Sequence, residues 1–411
     1  MQSKINQSSA LYLSMLFGMV SSFLISVFNT RILGGDHYGE LKFIQSLLNL
    51  LALLMPLGFF YSGARLIALD KSGEYQKGYY FLLFCIAAIA STVGIVIVFL
   101  VSPIQELLLN NDLGFYLKIS SPLLACFIFQ ACLNNLLQGS GKIYELSLFK
   151  ILPSGLYLIS AWFFISIFEF TLTHVLILQI ITFIIPIFLF LFLCGGNKRT
   201  GFKVLFDLKK QNKTYGFQVY LGSIVGVGST YLASLVVAYY LDIKYVGFYG
   251  LAITLCAPLQ MIPSVIGTSF FKEFSTYMYI PQKVIISTLL LSLSALIGFI
   301  LVVGWAVEFL YGDEYIEVIG LARLMVFGYF FYGLGDFFNR FISAKGKGVV
   351  LKNISIIVGF VNVVGFCLLI NLFGVTGGGI TIVISGGIYC LLLVFCYRKI
   401  IRETLVKRAA I

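Results

Sequence analysis

Charge is what this chain has least of. Only 11% of its 411 residues are Asp, Glu, Lys or Arg, where a soluble domain carries about a quarter, so a water-soluble globule is excluded. Histidine is scarcer still. His37 and His174 are the only two; both fall in short segments between apolar stretches, far from cysteines or carboxylates at metal-ligand spacing, and no zinc site can be assigned. The eight cysteines (Cys85, Cys126, Cys132, Cys194, Cys256, Cys367, Cys390 and Cys396) lie in or at the ends of apolar stretches without a CxxC pair. They read as small buried hydrophobes rather than as disulfides or metal ligands. A phosphate loop is missing too: Gly139-Ser140-Gly141-Lys142 lacks the first glycine of GxxxxGK[ST] and has Ile143 where Ser or Thr would hold magnesium. A glycine turn at a helix end, followed by a basic residue, explains that segment and its counterpart at 343–347. No polar segment is long enough to form a nucleic-acid-reading domain, so a nucleic-acid partner is excluded. Neither catalysis nor a cofactor is expected.

What the chain has instead is 60% apolar residues and a mean hydropathy of +1.00. Crossing about 30 Å of hydrocarbon takes roughly 20 apolar residues as a helix. Twelve stretches qualify: about 10–33, 41–67, 79–101, 116–138, 147–168, 172–194, 216–241, 248–271, 284–307, 320–343, 353–372 and 376–397. The expected class is an all-α, polytopic membrane protein. With both termini cytoplasmic, only Arg31, Lys42, Lys118, Lys244 and Arg323 of the 28 Lys and Arg fall toward the outside. That bias sets the orientation and accounts for the net charge of +11. The first stretch runs into Asn29-Thr30-Arg31 without a small-residue cleavage site, and is expected to be a retained helix.

Read at an offset of 208, the chain repeats itself. Tyr12, Leu13, Gly18, Ser21, Leu24, Leu33 and Gly39 align with Tyr220, Leu221, Gly226, Ser229, Leu232, Leu241 and Gly247. Pro56 then meets Pro263, and at offset 205 Asn134, Gly141 and Lys142 meet Asn339, Gly346 and Lys347. Matching positions keep the same orientation, so two parallel six-helix repeats are expected, a transporter architecture with the solute site between halves near mid-bilayer. The expected divisions are 1–194, a cytoplasmic linker 195–215, 216–397, and a basic tail 398–411. In the linker, Phe202, Leu205, Phe206 and Leu208 alternate with Lys203, Lys209 and Lys210. Either it lies on the anionic inner leaflet or it is a basic coil, and the tail poses the same choice. Acidic residues gather outside, most densely at 312–317, which reads as a solvated loop.

Charged and amide side chains at membrane depth are the functional candidates, because a charge there costs at least a few kcal/mol unless it faces a cavity or a partner. Asp336 and Arg340 are one helical turn apart; they form either a closed ion pair or a site for solute or protons. Arg323 either snorkels to the headgroups or lines a cavity. Arg31, with Asn29 beside it, and Lys118 run against the positive-inside bias, whereas Arg65 and Lys150 agree with it. Gln130, Asn134, Asn135, Gln45 and Asn49 offer uncharged hydrogen-bonding groups to sugars or to neighbouring helices. The fixed charge at depth is net positive: Arg31, Arg65, Lys118, Arg323 and Arg340 against Asp336. A cavity of that sign selects an anion, and arginine forks match phosphate oxygens two at a time.

Arg31-Ile32-Leu33-Gly34, followed by Tyr38-Gly39, resembles the R-x-L-G…Y-G signature of Wzx-type O-antigen and polysaccharide flippases. These belong to the multidrug/oligosaccharidyl-lipid/polysaccharide (MOP) exporter superfamily. Gln138-Gly139-Ser140-Gly141-Lys142 resembles their Q-G-x-G-[KR] turn, and Phe373-Gly374-Val375-Thr376-Gly377-Gly378 their glycine-rich start of helix twelve. The likeness spans the chain in helix count, repeat and motif order. It implies a MATE-like V-shaped bundle in the bacterial cytoplasmic (inner) membrane that moves an undecaprenyl-diphosphate-linked oligosaccharide between leaflets by alternating access. Asn29, Arg31, Arg65, Lys118, Gln130, Asn134, Arg323 and Arg340 are then the candidate substrate contacts, with Asp336 as the ion-coupling carboxylate for protons or sodium. Membrane lipids and the polysaccharide polymerase and chain-length proteins are the implied partners. The second copy has Leu241-Asp242-Ile243-Lys244 against Leu33-Gly34-Gly35-Asp36 and no arginine opposite Arg31, so equivalent ligands from the two halves are not expected. Three other classes compete, one of them a lipid-linked peptidoglycan-precursor flippase, which usually has additional helices that this chain lacks. A multidrug exporter for organic cations would want several deep carboxylates, and only Asp336 is deep. A membrane polymerase or glycosyltransferase would want a large extracytoplasmic loop, and the largest loop here has about twenty residues.

Overall fold

The computed structural model describes residues 2–70, 73–109, 113–164, 170–195 and 201–409, and among these every regular element is helical. In chain order they are α1 (Gln2–Leu54), α2 (Phe59–Leu69), α3 (Gln76–Leu109), α4 (Gly114–Gly139), α5 (Ile143–Phe164) and α6 (Leu172–Cys194). Then come α7 (Gly201–Gln211), α8 (Phe217–Ser223), α9 (Ser229–Tyr240), α10 (Ile243–Ser269) and α11 (Phe271–Thr276). The last four are α12 (Gln282–Tyr311), α13 (Ile316–Ala344), α14 (Gly348–Phe373) and α15 (Val375–Ala409). Two π-helical turns, Asn212–Gly216 and Ile224–Gly228, bracket α8.

Eleven described helices are long and apolar enough to cross a membrane, against twelve expected stretches. The difference lies in α1. Its apolar part, Leu13–Leu54, is 42 residues long, or about 60 Å at 1.5 Å per residue, enough for two crossings. The two crossings are joined at Gly34, whose φ of 69° and ψ of 179° break the helical path. Glycine tolerates that conformation at little cost, so 10–33 and 41–67 follow one another without a loop.

Contacts divide the chain into two compact units, Met1–Ile224 and Val225–Ile411. In the first, α1 packs on α4 and α5, α3 on α4, and α4 on α6. Pro56 interrupts the chain after α1, and Leu57 and Gly58 turn it with φ of 48° and 86°. Asn212 stitches this break: its Nδ2 donates to the Leu57 carbonyl at 3.2 Å, and its Oδ1 accepts the Ser62 hydroxyl at 3.0 Å. The Tyr220 hydroxyl donates to the Leu54 carbonyl at 2.7 Å. Backbone carbonyls freed by a helix break need such partners where no water reaches them. In the second unit α13 is the axis, packed along α10 and α15, over a core that includes Phe274, Phe337, Phe341 and Leu393.

The repeat is visible in the turns. Gly141 (φ 69°) and Gly346 (φ 70°) each sit after a helix. Lys142 N–H reaches the Leu137 carbonyl and Gly141 N–H the Gln138 carbonyl; Lys347 N–H reaches Ile342 and Gly346 N–H reaches Ser343. Both are Schellman caps closed by a left-handed glycine, so the phosphate-loop look-alike and its counterpart are helix stops. The linker segment 201–211 is helix α7 rather than coil, and α15 carries the basic tail as helix to Ala409. Asp313 and Glu314 of the acidic loop are exposed.

Candidate functional site

The second unit contains a polar chamber. Asp336 projects from α13, with its Oδ1 accepting the Tyr389 hydroxyl of α15 and its Oδ2 accepting Gln260 Nε2 of α10, each at 2.9 Å. Asn339 Nδ2 donates to the Tyr389 hydroxyl at 2.8 Å. Tyr332, one turn before Asp336, donates to Ser385 Oγ at 2.8 Å and accepts Asn362 Nδ2 of α14 at 3.3 Å. Asp336, Gln260, Tyr332, Asn362 and Tyr389, with Thr230 and Tyr329, line a cavity of about 350 Å³. Asn362 is 6% exposed, and its side-chain oxygen has no hydrogen-bond partner.

Small residues make the chamber possible. A Cβ on Gly333 would lie 3.0 Å from the backbone of Gln260, and one on Gly328 would lie 2.6 Å from the Ile382 carbonyl. Only glycine lets α13 approach α10 and α15 this closely, as small residues do between membrane helices. Pro258 and Pro263 flank Gln260 inside α10; each lacks the N–H that would serve the carbonyl four residues earlier. The chemistry available is that of one carboxylate held by two neutral donors beside an unmet amide oxygen, a set that takes up a proton or a small cation.

Of the two readings of Asp336 and Arg340, the closed pair does not form: no ion pair within 4.0 Å joins them, and neutral donors occupy both carboxylate oxygens. Position explains this. Tyr389 and Gln260 meet Asp336 on the interior side of α13, while Arg340 is exposed. Arg323, on the same helix, is also exposed, with its guanidinium 3.4 Å from where a Cβ on Gly304 would lie.

In the first unit the sequence candidates separate. Arg31 is exposed, whereas Asn29, about 200° around the helix, is 3% exposed, its Oδ1 accepting the Tyr157 hydroxyl at 2.6 Å. Asn29 thus ties α1 to α5. Arg65 is exposed, its guanidinium 4.3 Å from the centroid of the Tyr215 ring. Lys118 is exposed in the second turn of α4. Gln130 and Asn134 are partly buried on that helix, and Asn134 Oδ1 is buried without a hydrogen-bond partner. Gln45 Nε2 donates to Gln179 Oε1 of α6 at 3.1 Å, while Asn49 and Asn135 bond back to carbonyls of their own helices. Sequence reasoning missed Gln260, Tyr332, Asn362 and Tyr389. The available signals were the proline pair around Gln260 and the 332, 336, 339 spacing of polar groups on one helical face.

The described residues thus form an all-α set of membrane-crossing helices in two units, the second enclosing a carboxylate. Comparison with solved structures agrees: a lipid II flippase MurJ in an inward closed conformation superposes with a TM-score of 0.74 at 15% identity, covering 98% of this chain and 91% of that one. An inward-facing MATE-family multidrug resistance transporter gives 0.66 at 15% identity, covering 97% and 98%. A MOP superfamily transporter from Pyrococcus furiosus gives 0.57 at 15% identity, covering 96% and 95%. These likenesses establish the fold, and the folds they match are those of transporters and flippases, not enzymes. The chain belongs to the polysaccharide biosynthesis protein family, whose model matches residues 6–278. Comparison with curated sequences finds no match.

Proposed function

We propose that this protein moves an undecaprenyl-diphosphate-linked oligosaccharide across the bacterial cytoplasmic membrane during the synthesis of O-antigen or another surface polysaccharide. The observation that carries the reading is the polysaccharide biosynthesis family match over residues 6–278 in a chain with a flippase-type fold. The cations support it. Arg31, Arg65, Lys118, Arg323 and Arg340 are exposed, and a cavity bordered by positive charge selects an anion. Two six-helix halves, with both termini and the segment 195–215 cytoplasmic, alternate access to a cationic cavity holding the diphosphate, while Asn134 and Gln130 reach toward sugar. Asp336 takes the coupling proton or sodium ion in its chamber. Polymerase and chain-length proteins receive the exported unit.

The test is export in cells that depend on this chain. Replacing Arg31 and Lys118 together by alanine is expected to reduce surface polysaccharide at unchanged protein abundance, with the lipid-linked oligosaccharide retained on the cytoplasmic side. Asp336→Asn is expected to stop export by removing the titratable group. Normal export in the Arg31/Lys118 double variant refutes the cationic site, and normal export in Asp336→Asn refutes the coupling role.

A further inference from the structure

We infer that α7 and the turn after it form an anionic-phospholipid binding surface, separate from any site for transported solute. The helix is amphipathic in an unusual sense. Val204 and Leu208 are fully covered, seated against α2 and α3, and Lys203 is spent on the same contact, its Nζ 3.1 Å from the Tyr75 hydroxyl and 4.6 Å from the centroid of that ring. The opposite face carries Phe206, Lys209, Lys210 and Lys213, at spacings of three, four and seven residues, all exposed. Phe206 is 68% exposed. No ion pair engages any of these three lysines among the described residues.

Position supplies the partner. The chain continues from Lys213 into Phe217 and Leu221, apolar, 44% and 47% exposed, within a segment apolar enough to span a membrane. From Lys210 to Phe217 the rise is about 10 Å, and the headgroup layer on each side of the hydrocarbon is roughly 5–8 Å thick. Lys213, about 6 Å from Phe217 along the axis, therefore lies at headgroup depth; Lys209 and Lys210 stand just above it, within reach of the phosphates through their long side chains, and Phe206 adds an apolar ring to the same face. Lysines and an aromatic on one interfacial face match anionic headgroups. A soluble anion would leave Phe206 without a partner. Because α7 is packed on α2 and Asn212 caps the break after α1, lipid bound here also holds that corner of the first unit.

The full-length protein in detergent, titrated with phosphatidylglycerol or phosphatidylcholine and read by native mass spectrometry, tests this. Each lysine near an anionic surface is worth about fivefold, so the triple variant Lys209→Gln, Lys210→Gln, Lys213→Gln is expected to lose phosphatidylglycerol preference by ten- to a hundredfold, with phosphatidylcholine binding unchanged. Phe206→Ala is expected to weaken both lipids by a few-fold. The wild type supplies an independent arm: raising salt from about 0.05 to 0.5 M shortens the screening length below 5 Å and should shrink the preference. An unchanged preference in the triple variant, equal binding of both lipids by the wild type, or displacement of phosphatidylglycerol by millimolar inorganic phosphate would each overturn the proposal.

Discussion

The contact between Tyr389 and Asp336 gives the chamber a measurable energy. Tyr389→Phe removes one hydroxyl and breaks two bonds, the 2.9 Å donation to Asp336 Oδ1 and the 2.8 Å acceptance from Asn339. Neutral hydrogen bonds between membrane helices average about 0.6 kcal/mol, and those to a charged acceptor are roughly twice as strong. Together that is about 2 kcal/mol, with water entering a 350 Å³ cavity to recover part of it. The expected loss of unfolding free energy is therefore about 1.5 kcal/mol, above the average for a single interhelical bond. A double-mutant cycle with Asp336→Ala isolates the pair, and a coupling of about 1 kcal/mol is expected. Reversible unfolding by SDS in mixed micelles reads both quantities. A cycle that closes within about 0.3 kcal/mol would show that the two side chains lie near one another without energetic linkage, and the chamber would lose its organising contact.

Two further substitutions probe the scaffold by the same unfolding assay. Gly58→Ala places a methyl group 2.6 Å from the Gly216 carbonyl oxygen at a φ of 86°; left-handed strain alone costs about 1–2 kcal/mol, so a loss of more than 2 kcal/mol is expected, and a neutral result would refute the close approach. Lys244→Ala removes the Lys244–Glu314 pair, 3.9 Å apart with both side chains over a third exposed. Pairs of that kind are worth little, so a change within about 0.5 kcal/mol is expected; a larger loss would refute the reading of this pair as solvent-screened.

Most of the architecture was legible in the sequence because bilayer thickness converts hydropathy directly into helix length. The repeat offset also located both glycine stops, since Gly141 and Gly346 must adopt left-handed φ to close their caps. The helix count was less legible. Whether 10–33 and 41–67 are separated by a loop depends on the backbone angles of Gly34 alone, and composition cannot supply those. The chamber was half legible: Asp336 was conspicuous as a lone deep carboxylate, but its partner was not. Sequence spacing offers only neighbours on the same helix, hence Arg340, while the groups that bind it, Gln260 and Tyr389, come from helices 76 and 53 residues away. Asn29 shows the same limit. It stands beside Arg31 in sequence, yet residues two apart on a helix face nearly opposite ways, and its oxygen accepts the hydroxyl of Tyr157, 128 residues on.

The repeat carries one more consequence. At offset 205, the register set by Asn134/Asn339 and Lys142/Lys347, Lys118 falls on Arg323; at offset 207, set by Pro56/Pro263, Arg65 falls on Lys272. Two helix-end cations are thus duplicated although side-chain identity is not, whereas Asp336 falls on Ala131 and its partner Gln260 on Leu53. Lys118 stands in the second turn of α4 and Arg323 in the third turn of α13. Both are exposed. A cation at both matched positions, Lys in one copy and Arg in the other, argues that the positions require positive charge rather than a particular fork geometry. Lys118→Arg and Arg323→Lys should then preserve surface polysaccharide export, and Lys118→Gln and Arg323→Gln should each lower it severalfold at constant protein abundance. If Arg323→Lys fails as completely as Arg323→Gln, bidentate geometry matters at that position, and the two copies are unlike at the very residues where their sequences correspond.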